Sequence, residues 1–281
     1  MSFGLPPRSD EPGLTYAGYL KVRELISLQN LLSDPPQHDE MLFIIIHQVY
    51  ELWFKELLHE LDTIIERLDA DQPLAAHRLV RRCIEIERVL VSQISVLETM
   101  MPVDFLAFRD HLMPASGFQS HQFRELEYVS GLKQPRFLKN YRPESREHGS
   151  LTARLARPSV ADAFYAMLRR HGFDLPEAPA QDSEAGDAAA QRRIDELKRI
   201  YQDAEKHYPL FLLAESLIEY DEMFSMWRLH HIKMVERMIG SKTGTGGSEG
   251  AAYLMKTVDR KFFPELWELR SHLSKKSELV P

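Results

Sequence analysis

Residues 38–70 read HDEMLFIIIHQVYELWFKELLHELDTIIERLDA, and this stretch decides the fold class. Apolar residues recur every three or four positions along it, which is the spacing of one helix face. The apolar positions are Tyr50, Phe54, Leu57, Leu61, Ile64 and Leu68. The spacing predicts a single helix of about nine turns, with an apolar face that packs against other helices.

Two further segments carry the same helical period. Residues 74–101 repeat it as far as Pro102, which cannot continue a helix. Residues 207–239 hold one apolar face for more than about four turns. Shorter helices are predicted around 103–112 and 121–131. Three long helices with almost no strand signal predict an all-α, bundle-like body in a single domain that covers residues 1–281.

Composition and charge exclude several classes of protein. The net charge of -7, without a basic stripe, argues against a nucleic-acid partner. The longest apolar run, at 41–46, is far too short to span a membrane. The N-terminus has no apolar signal core, so we expect a cytoplasmic protein. Cys83 is the only cysteine, which excludes an internal disulfide, a Cys-based zinc cluster and a CxxCH haem attachment.

One segment interrupts the helical pattern. Residues 172–190 read GFDLPEAPAQDSEAGDAAA, which is rich in proline, alanine and acidic residues. Such a composition predicts a small acidic insertion on the surface or a flexible linker.

The helical register separates the two adjacent histidines of the sequence WRLHHIKM. His231 falls on the apolar stripe, one turn from Trp227, whereas His230 falls nearer the face that carries Lys233. We therefore expect only His231 to point into the core. An inward histidine can be a packed, hydrogen-bonded residue, or it can be a ligand for a metal or a haem iron.

A second histidine has the same character. His47 shares a helix face with Phe43, Tyr50 and Phe54, and is therefore a polar residue in an aromatic wall. Two inward histidines on long helices could flank a planar cofactor, one as the iron ligand and the other above the open side of the iron. The residues alone leave this interpretation and ordinary core packing equally open.

Other catalytic motifs are weak or missing. A di-iron carboxylate bundle needs two Glu-x-x-His pairs, but Glu56 and His59 form the only one. The sequence has no HExxH, GxSxG or Walker motif. The glycine-rich GTGG follows a predicted helix rather than a strand, so it is a poor nucleotide motif and is explained equally well as a flexible helix end.

Four segments, in order, resemble the tryptophan 2,3-dioxygenase family. They are LTYAGYLKVRELISLQ (14–29), HDEMLFIIIHQVYELWFKELLHELD (38–62), FRDHLMPASGFQSHQFRELE (108–127) and WRLHHIKMVERMIGSKTGTGGSEG (227–250). The resemblance implies an all-helical, cytoplasmic homotetramer with haem b as cofactor. It also implies an oxidoreductase that inserts both atoms of O2 into the indole C2–C3 bond of L-tryptophan. The product is N-formyl-L-kynurenine, in the first step of the kynurenine pathway of tryptophan degradation.

The resemblance assigns roles to five cavity residues. It makes His231 the axial ligand of the haem iron and His47 the catalytic distal histidine beside the indole N–H. Phe43 would pack on the indole. Arg109 would hold the substrate carboxylate, because a planar guanidinium can bind both oxygens. Thr245, in the GTGG loop, would contact the ammonium and carboxylate of the substrate.

Further contacts are implied at the edges of the site. Ser116 and Gly117 would lie against the haem. Tyr16, Tyr19 and Leu20 would reach the substrate pocket of a neighbouring subunit, as part of an N-terminal arm at about 1–37. With these contacts, residues of two subunits would form each substrate pocket.

The sequence departs from the family pattern at three positions. Phe105 is expected to line the substrate site, but some members have a tyrosine there, so one hydroxyl contact to the carboxylate would be missing. Glu249 stands where serine is frequent, and His230 where others carry arginine or asparagine.

A haem-binding sensor or carrier, the second functional hypothesis, would need His231 but neither Arg109 nor Thr245.

Overall fold

The computed structural model describes residues 14–176, 184–240, 242, 254–255 and 257–273, with the backbone alone for 184–187. Its α-helices, in chain order, are α1 (Tyr16–Tyr19), α2 (Val22–Leu25), α3 (His38–Asp69), α4 (Pro73–Leu97), α5 (Pro102–Arg109), α6 (His121–Ser130), α7 (Arg146–Ala156), α8 (Val160–Arg170), α9 (Glu184–Gln202), α10 (Tyr208–Ile239) and α11 (Pro264–Glu268). Short 3-10 helices lie at Asp110–Leu112, Gly117–Gln119, Pro135–Asn140 and Leu269–His272. These residues include no β-strand, and the predicted all-α class is confirmed.

The centre of the fold is a layer of three long helices. Both α3 and α10 pack along α4, while α6 and α8 cover the other side of α3. The apolar stripe predicted for α3 is fully buried at Leu61, Ile64 and Leu68. Burying a side chain of this size contributes about 1.5–3 kcal/mol, so the stripe accounts for the orientation of α3 in the core.

The ends of the long helices follow local chemistry. Helix α4 ends at Leu97, before the predicted end at residue 101, because Met101 is extended ahead of Pro102. A residue that precedes proline disfavours the helical conformation. Helix α10 ends at Gly240, whose φ of 61° lies in the left-handed region that glycine adopts without a Cβ clash.

The segment predicted as a surface insertion is partly incorporated into the core. Phe173 and Leu175 are buried at 2% and 3% exposure, so the surface interpretation is wrong for these two residues. Their apolar side chains pack in the main core cluster with α8. From Glu184 onward the chain forms α9, because the alanine-rich part of the segment has a high helix propensity.

A smaller apolar cluster lies at one end of the long helices. It is formed by Ile46, Ile94, Leu97, Met100, Phe108, Met234 and Met238, from α3, α4, α5 and α10 and the α4–α5 turn. None of the described helices is by itself long and apolar enough to cross a membrane, although the bent pair Pro73–Leu97 and Pro102–Leu112 meets the length and composition requirements.

Candidate active site

A cavity of about 280 Å³ opens beside the smaller apolar cluster. Its walls come from α3, α4, α5, α6 and α10, from the turn before α6, and from Leu254 and Thr257. Six of the residues singled out in the sequence line it, namely His47, Phe105, Arg109, Ser116, Gly117 and His231. Residues that are far apart in the sequence therefore meet in one site.

His231 faces the cavity from α10. Its ring stacks on that of Trp227, with 5.3 Å between ring centroids and an angle of 14° between the planes. Desolvation, with a smaller contribution from His47, lowers the pKa of His231 to about 4. The imidazole is therefore neutral at physiological pH, and it makes no hydrogen bond to any residue that the structure describes. Its neighbour His230 is exposed.

His47 faces the cavity from α3. Its Nδ1 lies 2.7 Å from the carbonyl oxygen of Phe43, one turn earlier. A carbonyl can only accept, so Nδ1 carries the proton and Nε2 keeps a free lone pair. Although the ring is open to the cavity, desolvation by the surrounding protein lowers its pKa. The hydrogen bond to the Phe43 carbonyl and, less strongly, the nearby carboxylate of Glu51 oppose this effect.

Arg109 and Phe105 lie one turn apart on α5 and both line the cavity. Phe105 packs edge-on against Phe108 at a centroid distance of 5.4 Å and lies 5.8 Å from Phe43. Phe43 is not one of the lining residues; its ring packs against that of His47, tilted by 37°, with 4.1 Å between the ring centroids. Phe43 thus holds His47, and the Arg109 guanidinium is the charged group that α5 contributes to the cavity.

The turn before α6 lines the cavity with Gly117, which has no side chain. Ser116 fixes the turn, because its Oγ accepts from the backbone N–H of Phe118 and its own N–H donates to Gln119. A Cβ added at Gly117 would meet no atom of the described residues within 4 Å, and the φ of Gly117 is outside the left-handed region. Neither packing against the described part of the chain nor backbone conformation explains this glycine.

Some expected site residues do not reach the cavity of their own chain. Tyr16, Tyr19 and Leu20 are 79%, 69% and 45% exposed and do not line it. Thr245 and Glu249 lie outside the described residues.

Sequence analysis missed the other charged residues of the cavity wall. Glu127 accepts hydrogen bonds from both Arg124 and Arg228, and all three side chains are buried. Glu51 lines the cavity on the same side as His47. The signal was available in the helical register, since Arg228 precedes His231 and Glu51 follows His47 by about one turn.

Comparison with known proteins assigns the chain to a family. The family model described as Tryptophan 2,3-dioxygenase matches residues 6–174 and 189–273. A tryptophan 2,3-dioxygenase of a Nocardioides species is 49% identical over 265 residues, which cover 92% of this chain and 95% of the relative. Those of Herpetosiphon aurantiacus and Myxococcus xanthus are 46% and 41% identical over 262 and 276 residues, covering 92% and 95% of this chain and 98% and 95% of the relatives.

Fold, cavity and these similarities define an all-α, haem-dependent oxidoreductase. The chain belongs to the tryptophan 2,3-dioxygenase family. The di-iron bundle considered from the sequence is therefore wrong, because this family depends on haem.

The residues of the cavity fit a haem. A neutral imidazole offers a lone pair to iron, and His231 has one that no described residue uses. A flat group that lies against Gly117 would explain why this position carries no side chain. The stacked ring of Trp227 fixes the plane of His231 and so prepares it for a ligand of defined orientation.

Proposed function

We propose that this cavity is where the enzyme cleaves the indole C2–C3 bond of L-tryptophan with O2 to give N-formyl-L-kynurenine, the first step of the kynurenine pathway. The observation that carries the proposal is that two histidines, His47 and His231, face one cavity from different helices. Desolvation lowers the pKa of both imidazoles, which favours their neutral forms. His231 would be the axial ligand of haem b, and Ser116 and Gly117 would lie against the macrocycle. When bound, the haem supplies the iron at which O2 is activated.

The other residues would orient the substrate. The free Nε2 of His47 would accept a hydrogen bond from the indole N–H, since Nδ1 is already committed to Phe43. Arg109 would hold the substrate carboxylate with both arms of its guanidinium. Phe105 adds an apolar wall and no hydroxyl, so the carboxylate would depend more heavily on Arg109.

Holding the indole in one orientation removes much of the entropic cost of the reaction. Phe43 does not line the cavity and would support the indole through the ring of His47, against which it packs. Thr245 would bind the ammonium and carboxylate groups. Together these contacts would make the site apolar around the ring of the substrate and polar around its amino-acid end.

We further propose that the active enzyme is a cytoplasmic homotetramer and that its function involves no nucleic acid or membrane. The N-terminal arm at about 1–37 would contact a neighbouring subunit, where Tyr16, Tyr19 and Leu20 would complete the substrate pocket. The exposure of these three apolar side chains supports this arrangement, because an interface would cover them. The net charge of -7 supports the absence of a nucleic-acid partner.

The assignment of the iron ligand is tested by comparing two adjacent variants. His231→Ala should be purified with little or no haem and no dioxygenase activity, while His230→Ala should keep a normal Soret band and most of its activity. Haem per chain is measured by the pyridine haemochrome assay, and activity by the absorbance of N-formylkynurenine after reduction and addition of L-tryptophan and O2. Haem retained in the His231 variant but lost in the His230 variant would contradict the assignment.

The same assay distinguishes an enzyme from a haem sensor or carrier. A holoprotein whose spectrum responds to L-tryptophan without any product would support the sensor and overturn the proposed catalytic role of the cavity. Stoichiometric uptake of O2 into N-formylkynurenine is the result that we expect.

A further inference from the structure

Glu51 occupies a defined place beside His47. It follows His47 by one turn on α3, and both side chains line the cavity. The side-chain amide of Gln122, on α6, donates to Oε2 of Glu51 at 2.8 Å and to its backbone oxygen at 3.0 Å. This double contact fixes the carboxylate between two helices of the cavity wall.

Glu51 differs from Glu127, the other carboxylate of the cavity wall, in how its charge is paired. Glu127 is paired with both Arg124 and Arg228, so these three charges are engaged with one another. Glu51, by contrast, forms no ion pair with any described residue and is held by an amide. Its negative charge is therefore not neutralised by a nearby cation in the described part of the chain.

The charge of Glu51 acts on an imidazole with one free nitrogen. The proton of His47 Nδ1 is directed at the Phe43 carbonyl, which leaves Nε2 as the only acceptor. Arg109 on α5 and His231 on α10 also face this region, and a cationic Arg109 works in the opposite sense to Glu51. A negative charge one turn away increases the electron density of the ring and strengthens Nε2 as an acceptor.

We propose that Glu51, held by Gln122, is a positioning residue that strengthens Nε2 of His47 as the acceptor for the indole N–H of the substrate. The inference rests on the proposed role of His47. It agrees with the direction in which Glu51 acts on the pKa of His47, which it raises against desolvation. The role is specific to the N–H group, so it predicts discrimination between ligands rather than a general loss of affinity.

The experiment compares two ligands of the ferric holoenzyme. One is L-tryptophan, and the other is its benzothienyl analogue, in which sulfur replaces the indole N–H. The Kd of each is measured from the change in the Soret band. His47→Ala should reduce the preference for L-tryptophan roughly three- to tenfold, the range of one hydrogen bond. Glu51→Gln, which keeps an acceptor for Gln122, should reduce the preference about twofold to threefold while the analogue binds as before.

Two further variants and a matched control make the result decisive. In the His47→Ala background, Glu51→Gln should have no additional effect, because the acceptor is gone. Glu51→Asp, which keeps the charge, should retain most of the preference. Glu66→Gln is the matched control, since it removes an exposed carboxylate from the same helix far from the cavity and should leave both Kd values unchanged.

The two levels of the hypothesis fail in different ways. If His47→Ala leaves the preference for L-tryptophan intact, the role of His47 itself is wrong. If His47→Ala abolishes the preference but Glu51→Gln does not change it, or if Glu51→Gln weakens both ligands equally, only the role of Glu51 is overturned.

Discussion

Asp221 and His231 lie on the same helix, α10, about three turns apart, and each contacts a tryptophan, Trp267 and Trp227 respectively. Asp221 accepts hydrogen bonds from the backbone N–H groups of Phe262 and Phe263 and from the indole of Trp267. His231 forms no hydrogen bond to the described residues and opens into a cavity. The buried polar group that serves the fold is satisfied within the chain, whereas the one that faces the cavity keeps its lone pair for a ligand.

The largest effect should come from breaking the hydrogen bonds that Asp221 accepts. Asp221→Asn replaces an acceptor by an amide whose NH2 would face N–H donors, so at least one buried donor loses its partner. We expect the free energy of unfolding to fall by about 2–4 kcal/mol. Urea unfolding of the holoenzyme measures the change. Glu222→Gln, at the exposed adjacent position, is the control and should have little effect; equal stability of the two variants would contradict the comparison.

A third buried group, Glu87 on α4, sharpens the comparison because it has no hydrogen-bond partner among the described residues and does not line the cavity that contains His231. It is 1% exposed, and neither carboxylate oxygen has a hydrogen-bond partner among the described residues. Desolvation, followed by the charge of Asp221, raises the pKa of Glu87 well above its usual value, although Arg228 acts in the opposite direction. Glu87 is therefore expected to be a neutral acid in the folded protein near neutral pH.

This shift predicts how stability depends on pH. Below the pKa of an unfolded glutamate, both states hold the proton and Glu87 costs no ionisation energy. As the pH rises towards the higher pKa of the folded state, stability is lost, by up to about 1.4 kcal/mol per pH unit. Glu87→Gln cannot ionise, so its stability relative to the parent should increase from pH 5 to pH 8 in unfolding measurements. The exposed Glu85→Gln should show a constant difference, and a constant difference for Glu87→Gln as well would exclude a neutral acid.

At the cavity, Arg109→Lys tests whether the guanidinium binds the carboxylate of the substrate. Lysine keeps the charge but cannot bind a carboxylate with two parallel hydrogen bonds. The KM for L-tryptophan should rise roughly tenfold, which corresponds to about 1.4 kcal/mol, with little change in stability. Tryptamine, which lacks the carboxylate, should be a poor substrate for both proteins. Equal turnover of tryptamine and L-tryptophan by the parent would rule out the carboxylate contact.

The sequence predicts best those helices along which apolar residues recur at helical spacing for many turns. The apolar stripes of α3 and α10 predict both helices almost to the residue and separate the inward His231 from the exposed His230. Helix α9 was missed because its first residues have the composition of a linker, although alanine also favours a helix.

The partners of the charged residues in the cavity wall could not be predicted in the same way, although the helical register places Glu51 and Arg228 one turn from His47 and His231. Glu51 and Arg228 look like ordinary polar positions until the packing shows that Gln122 and Glu127, from another helix, lie opposite them. The period of a helix reveals which face is apolar, but the partner of a polar group depends on how helices pack. Catalytic roles came from resemblance, since an inward histidine alone is compatible with ordinary core packing.

The smallest effect on stability is expected at Gly117, where the comparison between fold and ligand is sharpest. A methyl group there meets no atom of the described residues within 4 Å, and the backbone needs no positive φ. Gly117→Ala should therefore change the unfolding free energy of the haem-free chain by less than about 1 kcal/mol, with stabilisation as the expected sign. The same methyl group would occupy the surface against which we place the haem, so haem per chain should fall.

Haem content is measured by pyridine haemochrome and stability by urea unfolding of the apoprotein. Ser95→Ala, at an exposed position of α4, should alter neither quantity. A Gly117→Ala protein with full haem content would show that the cofactor does not approach this turn, and a strongly destabilised apoprotein would show that the glycine serves the fold instead.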